Sequence, residues 1–374
     1  MLYERIKILH PGDDNGNDMI VQISLSTGRD IFALGTKNHY GGDWDLGPTW
    51  NYVVSGEKPF LVDAGRRGTG PRLLEMMEYA GIKADDLDFV VLSHGHEDHD
   101  GGLFALTEAT GLKVKAHETY QSLIEVEPAR APSARVAQFP ASCWYCPMLD
   151  SFTQDHCLDY HRERRSFTIT PVGQDDHDLG QGISVHHVPG HSPDCLAFVI
   201  DDEVMLTGDT ILPEITPHPT KEAYFEGTRC MLPSHYDRAD QLYGLRAYIR
   251  SVKRLQSISK GLPGLTGLPA HRLFSRGKWN LLDLAARCDE LINHHIQRCS
   301  DIINLLGDEP RTPEEIARAH FEPHLLKGFG IHLALNEVLS HCELLESSGD
   351  IVWSDGKVAS TGKQGAETLI KEIQ

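Results

Sequence analysis

The densest chemistry in the chain lies between residues 94 and 100, where His-Gly-His-Glu-Asp-His-Asp places three imidazoles and two aspartates in seven positions. Neutral imidazole and carboxylate oxygen are donors that suit Zn, Fe and Mn, and a catalytic ion needs several of them converging while one coordination position stays open. His94 and His96, two apart on an extended loop, can point the same way, and Asp98 and His99 can turn toward a neighbouring ion. One or two histidines would read as a solvated turn; the number and spacing here do not. A second cluster, Cys143, Cys146, Cys157 and His161, has the spacing C-x2-C-x10-C-x3-H, which can hold a structural zinc. The competing reading is an apolar plug of Trp144, Tyr145 and the thiols over the first cluster.

The first cluster follows directly on the apolar run Phe89 to Leu92, which predicts a loop at the end of a buried strand. Upstream, DMIVQISLSTG and TWNYVVSGEKPFLVDAG predict strands joined by turns, and Leu73, Met76, Met77 and Ala80 mark one helix face that stops at Gly81. Strand followed by polar loop recurs in GISVHHVPGHSPD, in LAFVIDDEVMLTGDT and, after a helix over 239–258, in GLTGLPAHRLF. Gly65, Gly68 and Gly70 read as turn glycines, because no Gly-Lys-Ser/Thr follows them. Between about 117 and 180 the pattern breaks, and the stretch reads as an insertion of loops and short helices. From about 280 helices dominate: Thr312, Pro313, Glu314 and Glu315 form a capped helix start, and DIVWSDGKVA a hairpin turning at Asp355-Gly356. The predicted division is a catalytic domain over 1–279 and a mainly helical C-terminal domain over 280–374.

The chain carries 35 Lys and Arg against 54 Asp and Glu, a formal charge of −19, and such a field repels polyanions and acidic membranes. No segment approaches the roughly 20 apolar residues of a membrane span, and MLYERIKILH has no continuous apolar region of the secretory type. With eight scattered cysteines, this predicts a cytoplasmic protein with reduced thiols and no membrane partner.

His94, His96, Asp98 and His99 also form the H-x-H-x-D-H signature, and here the chain resembles the metallo-β-lactamase superfamily. Further positions match that family in order: His191 in VPGHSPD as the third histidine of a first metal site, Asp209 in LTGDT as a bridging aspartate, and His271 in GLPAHRLF as the last histidine of a second site. Asp63 in FLVDAG matches the strand-end aspartate that supports the site and reads as a group orienting a ligand. The resemblance implies a four-layer αββα sandwich with two divalent ions at its loop edge, zinc first, with Fe or Mn also fitting. It further implies a bridging hydroxide that attacks a small carbonyl substrate, with Asp98 as the catalytic residue that orients it and takes its proton. Family members that reduce oxygen at di-iron carry Glu in place of the second histidine; His96 here favours hydrolysis.

A longer resemblance, carried by TGDTILPEITPHP, YGLRAYIRSVKRL, PRTPEEIARAHF and ALNEVLSHCELLESSGDIVW, is to the subgroup with a winged-helix-like tail, whose members include endoribonucleases of the β-lactamase-like protein 2 type. Between residues 275 and 374, however, ten Lys and Arg face sixteen Asp and Glu, a net of −6, whereas a winged helix that holds nucleic acid presents a basic face. The expected substrate is therefore a small molecule, first a thioester such as an acyl-CoA or glutathione conjugate, with lactone or ester hydrolysis and RNA cleavage as alternatives. The tail then packs over the site's rim or forms a homodimer contact. The last-histidine loop reads Pro-Ala-His-Arg, so Arg272 stands beside a ligand position, able to clamp a carboxylate or phosphate or to pair with a local acid. His218 and His235 are rim candidates, and of His186 and His187 on one strand at most one can face the metals.

Overall fold

A computed structural model describes residues 2–39, 46–125, 154–172, 177–307, 309–328 and 330–374. One eight-stranded sheet takes β1 (Ile6–His10), β2 (Ile20–Ser24), β3 (Asp30–Thr36), β4 (Thr49–Val54), β5 (Phe60–Val62), β6 (Phe89–Val91), β7 (Lys113–His117) and β8 (Ile169–Val172) in that spatial order. Its first five strands pair antiparallel and β5 to β8 pair parallel. The second sheet contains β9 (His177–Gly180), β10 (Ile183–His187), β11 (Leu196–Ile200), β12 (Val204–Leu206) and β13 (Thr266–Leu268). After the small hairpin of β14 (Phe274–Ser275) and β15 (Lys278–Trp279), β16 (Leu282–Asp283) closes that sheet's far edge.

Period-2 alternation builds the layers. Tyr52, Val54, Phe60, Val62, Phe89 and Val91 face Leu196, Phe198, Ile200, Val204 and Leu206 across the space between the sheets. The intervening residues Val53, Leu61, Val90 and Val114 turn outward onto α1 (Gly70–Tyr79), α3 (Leu103–Thr110) and α4 (Glu118–Ile124), while the single turn α2 (Glu97–Asp100) sits between them in sequence. On the other side Ala197, Val199 and Met205 pack under helices, giving four layers in all. After α5 (Gln154–Glu163) and the turn α6 (Phe225–Thr228), that outer layer is made by α7 (Gly244–Gly261), α8 (Leu284–Leu306), α9 (Pro313–His320), α10 (Gly330–Ser347) and α11 (Ala366–Glu372). Leu245, Tyr248 and Val252 of α7 share one apolar core with Leu291, Ile302, Val338, Leu345 and Ile370 of the C-terminal helices.

Thr312 and Glu315 cap α9 reciprocally with Pro313 in its first turn, as the sequence predicts. β17 (Ile351–Ser354) and β18 (Lys357–Ser360) form the hairpin, with Asp355 and Gly356 both left-handed at its turn. Three expectations need correction. The 117–180 stretch is not all loops and short helices: His117 ends β7, and β8 and β9 add strands to the two sheets at its far end. Both are four residues long and follow no long apolar run, so their edge pairing leaves little periodic signal. The helix read from 239 begins at Gly244, because Tyr243 is extended and Gly244 left-handed. Gly70 opens α1 rather than a turn; a Cβ there would stand 2.9 Å from the Gly102 carbonyl oxygen. Among the described residues no helix is long and apolar enough to cross a membrane.

Candidate metal centre

Strand direction decides where the polar loops meet. β5 and β6 run parallel, and β10, β12 and β13 share one direction in the second sheet, so the loops leaving their C-terminal ends share one edge of the sandwich. Asp63 follows β5, His94 to His99 follow β6, His191 follows β10, Asp209 follows β12 and His271 follows β13. Backbone hydrogen bonds tie these loops across the sheets, from Leu196 to the Ser93 carbonyl (2.7 Å), from Trp50 to that of Ala270 (2.8 Å) and from Ala64 to that of His99 (2.8 Å). Two glycines make the approach possible. A Cβ on Gly102 would lie 2.0 Å from the Ala64 carbonyl oxygen, and one on Gly190 would lie 2.3 Å from the Tyr248 backbone.

All seven ligand positions read from the sequence converge. His94, His96 and His191 form one group and Asp98, His99 and His271 another. Asp209 spans both: Oδ2 is 3.6 Å from His191 Nε2, and Oδ1 is 3.6 Å from His99 Nε2 and 3.4 Å from His271 Nε2. His94 Nε2 stands 3.0 Å from His96 Nδ1, and His271 Nε2 stands 3.2 Å from Asp98 Oδ2. Donors held about 2.0–2.1 Å from a tetrahedral ion are about 3.3 Å apart, the spacing seen here. His99 Nε2, His191 Nε2, His271 Nε2 and Asp209 Oδ1 are buried without a hydrogen-bond partner, an arrangement that suits metal coordination.

The outer atoms of the same rings are anchored. His99 Nδ1 donates to Asp63 Oδ2 (2.9 Å), His191 Nδ1 to the His218 carbonyl (3.0 Å) and His271 Nδ1 to the Pro48 carbonyl (3.2 Å). In the neutral ring each anchor holds the proton on Nδ1, the tautomer whose Nε2 lone pair faces inward. Asp63 also accepts from Ser93 N and Ser93 Oγ, both at 2.7 Å, and holds a left-handed backbone with φ of 63°.

Electrostatics divide the centre. Burial, and then neighbouring imidazoles, hold His94 and His96 well below the ordinary histidine range, so they are neutral and ready to coordinate. Burial likewise lowers His191, against the pull of Asp209. For His99 burial is outweighed by Asp98, Asp209 and Asp63, which raise it well above its usual value. His271 is raised to about 9 for the same reason, burial being overcome by Asp209 and Asp98. Those two imidazoliums in turn overcome burial at Asp98 and Asp209 and lower both carboxyls. Without metal, protons on His99 and His271 therefore balance the two carboxylates.

The remaining sequence candidates take other positions, His218 at the rim of the cluster with its ring centre 5.3 Å from that of His191. His218 contributes its carbonyl oxygen, and His235 pairs with Glu118 (3.1 Å) away from the cluster. His187 stacks on His117 at 3.7 Å between ring centres, and His186 meets Ser184 (3.1 Å). Arg272 lies 3.5 Å from Glu214. Of the cysteine cluster, Cys143, Cys146 and the Cys157 side chain fall outside the described residues, while His161 is buried beside Tyr160. A further group, His294, His295 and Glu337, lies between α8 and α10, but Arg298 reaches toward Glu337 (3.5 Å) and donates to His294 (3.2 Å) where a cation would stand.

Two features escaped the sequence reading. Asn38 donates to Asp98 Oδ2 (2.8 Å) from a loop with no pattern to mark it. Beneath the His94–His96 loop, buried Arg164 pairs with Asp100 (2.9 Å) and donates to the Gly95 carbonyl (3.0 Å), and Tyr120 and Tyr160 hydroxyls also donate to Asp100 (2.7 and 2.6 Å). The second aspartate of the motif is thus a structural anchor.

The sequence pattern of the Metallo-beta-lactamase superfamily matches residues 44–284. The chain belongs to that superfamily. Over 331 residues, 86% of this chain and 93% of the relative, the chain is 23% identical to the probable metallo-hydrolase YqjP of Bacillus subtilis. A 73-residue stretch is 32% identical to the exodeoxyribonuclease WalJ of Streptococcus pneumoniae, spanning 19% of this chain and 26% of that protein's length. Among solved structures, a metallo-beta-lactamase family protein from Thermus thermophilus superposes with a TM-score of 0.62 at 21% identity, covering 88% of this chain and 98% of the other. A beta-lactamase domain protein from Burkholderia ambifaria gives 0.65 at 18% identity, covering 91% and 93%. These two share the fold.

Proposed function

We propose that this metallo-β-lactamase superfamily chain is a dinuclear metal-dependent hydrolase of a small carbonyl substrate, first a thioester. The observation that carries the metal is the inward convergence of unpartnered His99, His191, His271 and Asp209 atoms between two anchored ligand groups. His94, His96 and His191 would hold one ion, Asp98, His99 and His271 the other, with Asp209 between them; zinc is the first expectation. Two such ions polarise a carbonyl and bring the pKa of a coordinated water toward about 7. The chain's own share is positional. Asp63, Pro48 and His218 keep ligand lone pairs inward, and Asp98, which accepts a hydrogen bond from Asn38, would orient the attacking water and take its proton. The likeness to a probable metallo-hydrolase over most of both chains supports hydrolysis.

The −19 charge favours a small substrate over a polyanion, and the −6 of the C-terminal hundred residues disfavours RNA on that surface. We assign α8 to α11 with the β17–β18 hairpin to a winged-helix-like C-terminal domain that braces the catalytic layer through α7. Lactone and ester hydrolysis use the same machinery. The test is thiol release from acyl-CoA and glutathione thioesters by metal-loaded protein, with His191→Ala as blank. Turnover lost in that variant supports the thioester reading; no release across the panel rejects it and leaves lactones, and then RNA, as the next substrates.

A further inference from the structure

Beside the cluster, on the His271 side, lies a cavity of about 130 Å³ lined by Asn15, Gly47, Glu214, Arg272, Ser275 and Arg276. Three of its walls are continuous with the metal centre. Arg272 follows His271, Gly47 precedes the Pro48 carbonyl that anchors His271, and Glu214 lies on the loop leaving Asp209. We propose that this cavity is a subsite for the oxyanion group, carboxylate or phosphate, on the arm of a substrate whose scissile bond lies at the metals. The inference rests on the hydrolase reading and adds a substrate class to it.

Charge supports it. Among the described residues that line it, two guanidiniums meet one carboxylate, in a chain whose formal charge is −19. Arg272 has partners besides Glu214, and the Arg272–Glu214 separation of 3.5 Å is longer than the about 2.7–2.9 Å of a charge-assisted hydrogen bond, so an incoming oxyanion would compete with Glu214 for this guanidinium. Arg276 is exposed and has no carboxylate within ion-pair distance among the described residues. Local build supports it as well. Glu214, Arg272 and Arg276 have φ of 60°, 56° and 51°, left-handed values that disfavour non-glycine residues. The hairpin that carries the arginines is fixed at both ends. Asn280 donates to the Arg272 carbonyl (2.8 Å) and to Ser275 Oγ (3.0 Å), and Gly277 N bonds the Asp14 carbonyl (3.0 Å). Preorganised donors at the edge of a hydrolytic centre are what a bound anionic arm requires.

Titration calorimetry of metal-loaded protein with inorganic phosphate and, separately, with succinate tests the subsite and shows which oxyanion it takes. Arg276→Gln is expected to weaken binding about tenfold, the order of one charge-assisted contact, and Glu214→Gln to tighten it severalfold by removing the competing carboxylate. A purely structural Arg272–Glu214 pair would not give that opposite sign. Wild-type protein that binds neither anion, or affinities that both substitutions leave unchanged because the anion sits on the metals alone, would overturn the proposal. In a second arm, the preference for an acid-bearing substrate over its neutral methyl ester should fall about tenfold in Arg276→Gln. Anion binding that follows the expected pattern without turnover of any substrate would defeat the hydrolase reading and leave the subsite standing.

Discussion

Asp63→Asn separates a residue that holds the fold from one that holds a ligand. Asp63 Oδ1 accepts from Ser93 N at 2.7 Å, and Oδ2 accepts from Ser93 Oγ at 2.7 Å and His99 Nδ1 at 2.9 Å. An asparagine keeps the Oδ1 acceptor, can donate its amide to Ser93 Oγ, and tolerates the left-handed φ of 63°. What it cannot do is accept a proton from His99 Nδ1. His99 then moves its proton to Nε2, the atom facing Asp98 (3.7 Å) and Asp209 (3.6 Å), where a lone pair is needed for coordination. The expected result is a loss of about 10–100-fold in affinity for one of two metal ions, the usual cost of removing such an anchor. Stability of the metal-free protein should fall by about 1.5–3 kcal/mol, because there His99 carries a proton and loses its charge-assisted hydrogen bond to Asp63. Competition against a chromophoric chelator reads the first quantity and urea unfolding in chelator reads the second. Metal affinity equal to wild type, or a large loss of metal-free stability with no selective loss of one ion, would refute the reasoning.

Metal-free protein should be most stable near pH 6.5–7. His271, whose pKa rises from 6.5 unfolded to about 9 folded, and His99, raised likewise, contribute stability below 6.5 that is lost as pH climbs toward 9. His94, His96 and His191, all lowered, contribute above 6.5 and lose it as pH falls. Thermal melts with and without metal should show the alkaline decline only in the metal-free protein, because ligation already removes those protons. A flat metal-free profile from pH 6.5 to 9 would contradict the charge assignment. Arg164→Met leaves the buried Asp100 carboxylate without its cation and should cost about 3–5 kcal/mol in urea unfolding, part of it recovered by adding Asp100→Asn. A single substitution as stable as wild type would remove Arg164 from the account. Asn38→Ala should lower kcat about tenfold with both metals retained, as read by turnover beside metal analysis. Unchanged kcat would show that Asn38 does not steady Asp98.

The convergence of the candidate ligands was legible because most of them are local in sequence. His94 to His99 occupy one loop and one turn, and strand-end positions predict where their partners arrive. The inter-sheet core was equally legible from alternation, as in Tyr52 and Val54 against Val53. What stayed hidden depends on distance in sequence. Arg164 reaches Gly95 across 69 residues and Asn38 reaches Asp98 across 60, and neither leaves a periodic or motif signal. Likewise the sequence could place Arg272 beside His271 but not Arg276 and Glu214 around a shared cavity, which needs the left-handed turns of the folded chain.

The most direct test of the central claim is anomalous diffraction at a metal absorption edge from crystals of the metal-loaded protein. Two peaks are expected. One should lie within bonding distance of His94, His96 and His191, the other within bonding distance of Asp98, His99 and His271, and Asp209 should contact both. A single peak, or peaks away from these seven side chains, would contradict a dinuclear centre and the hydrolysis built on it.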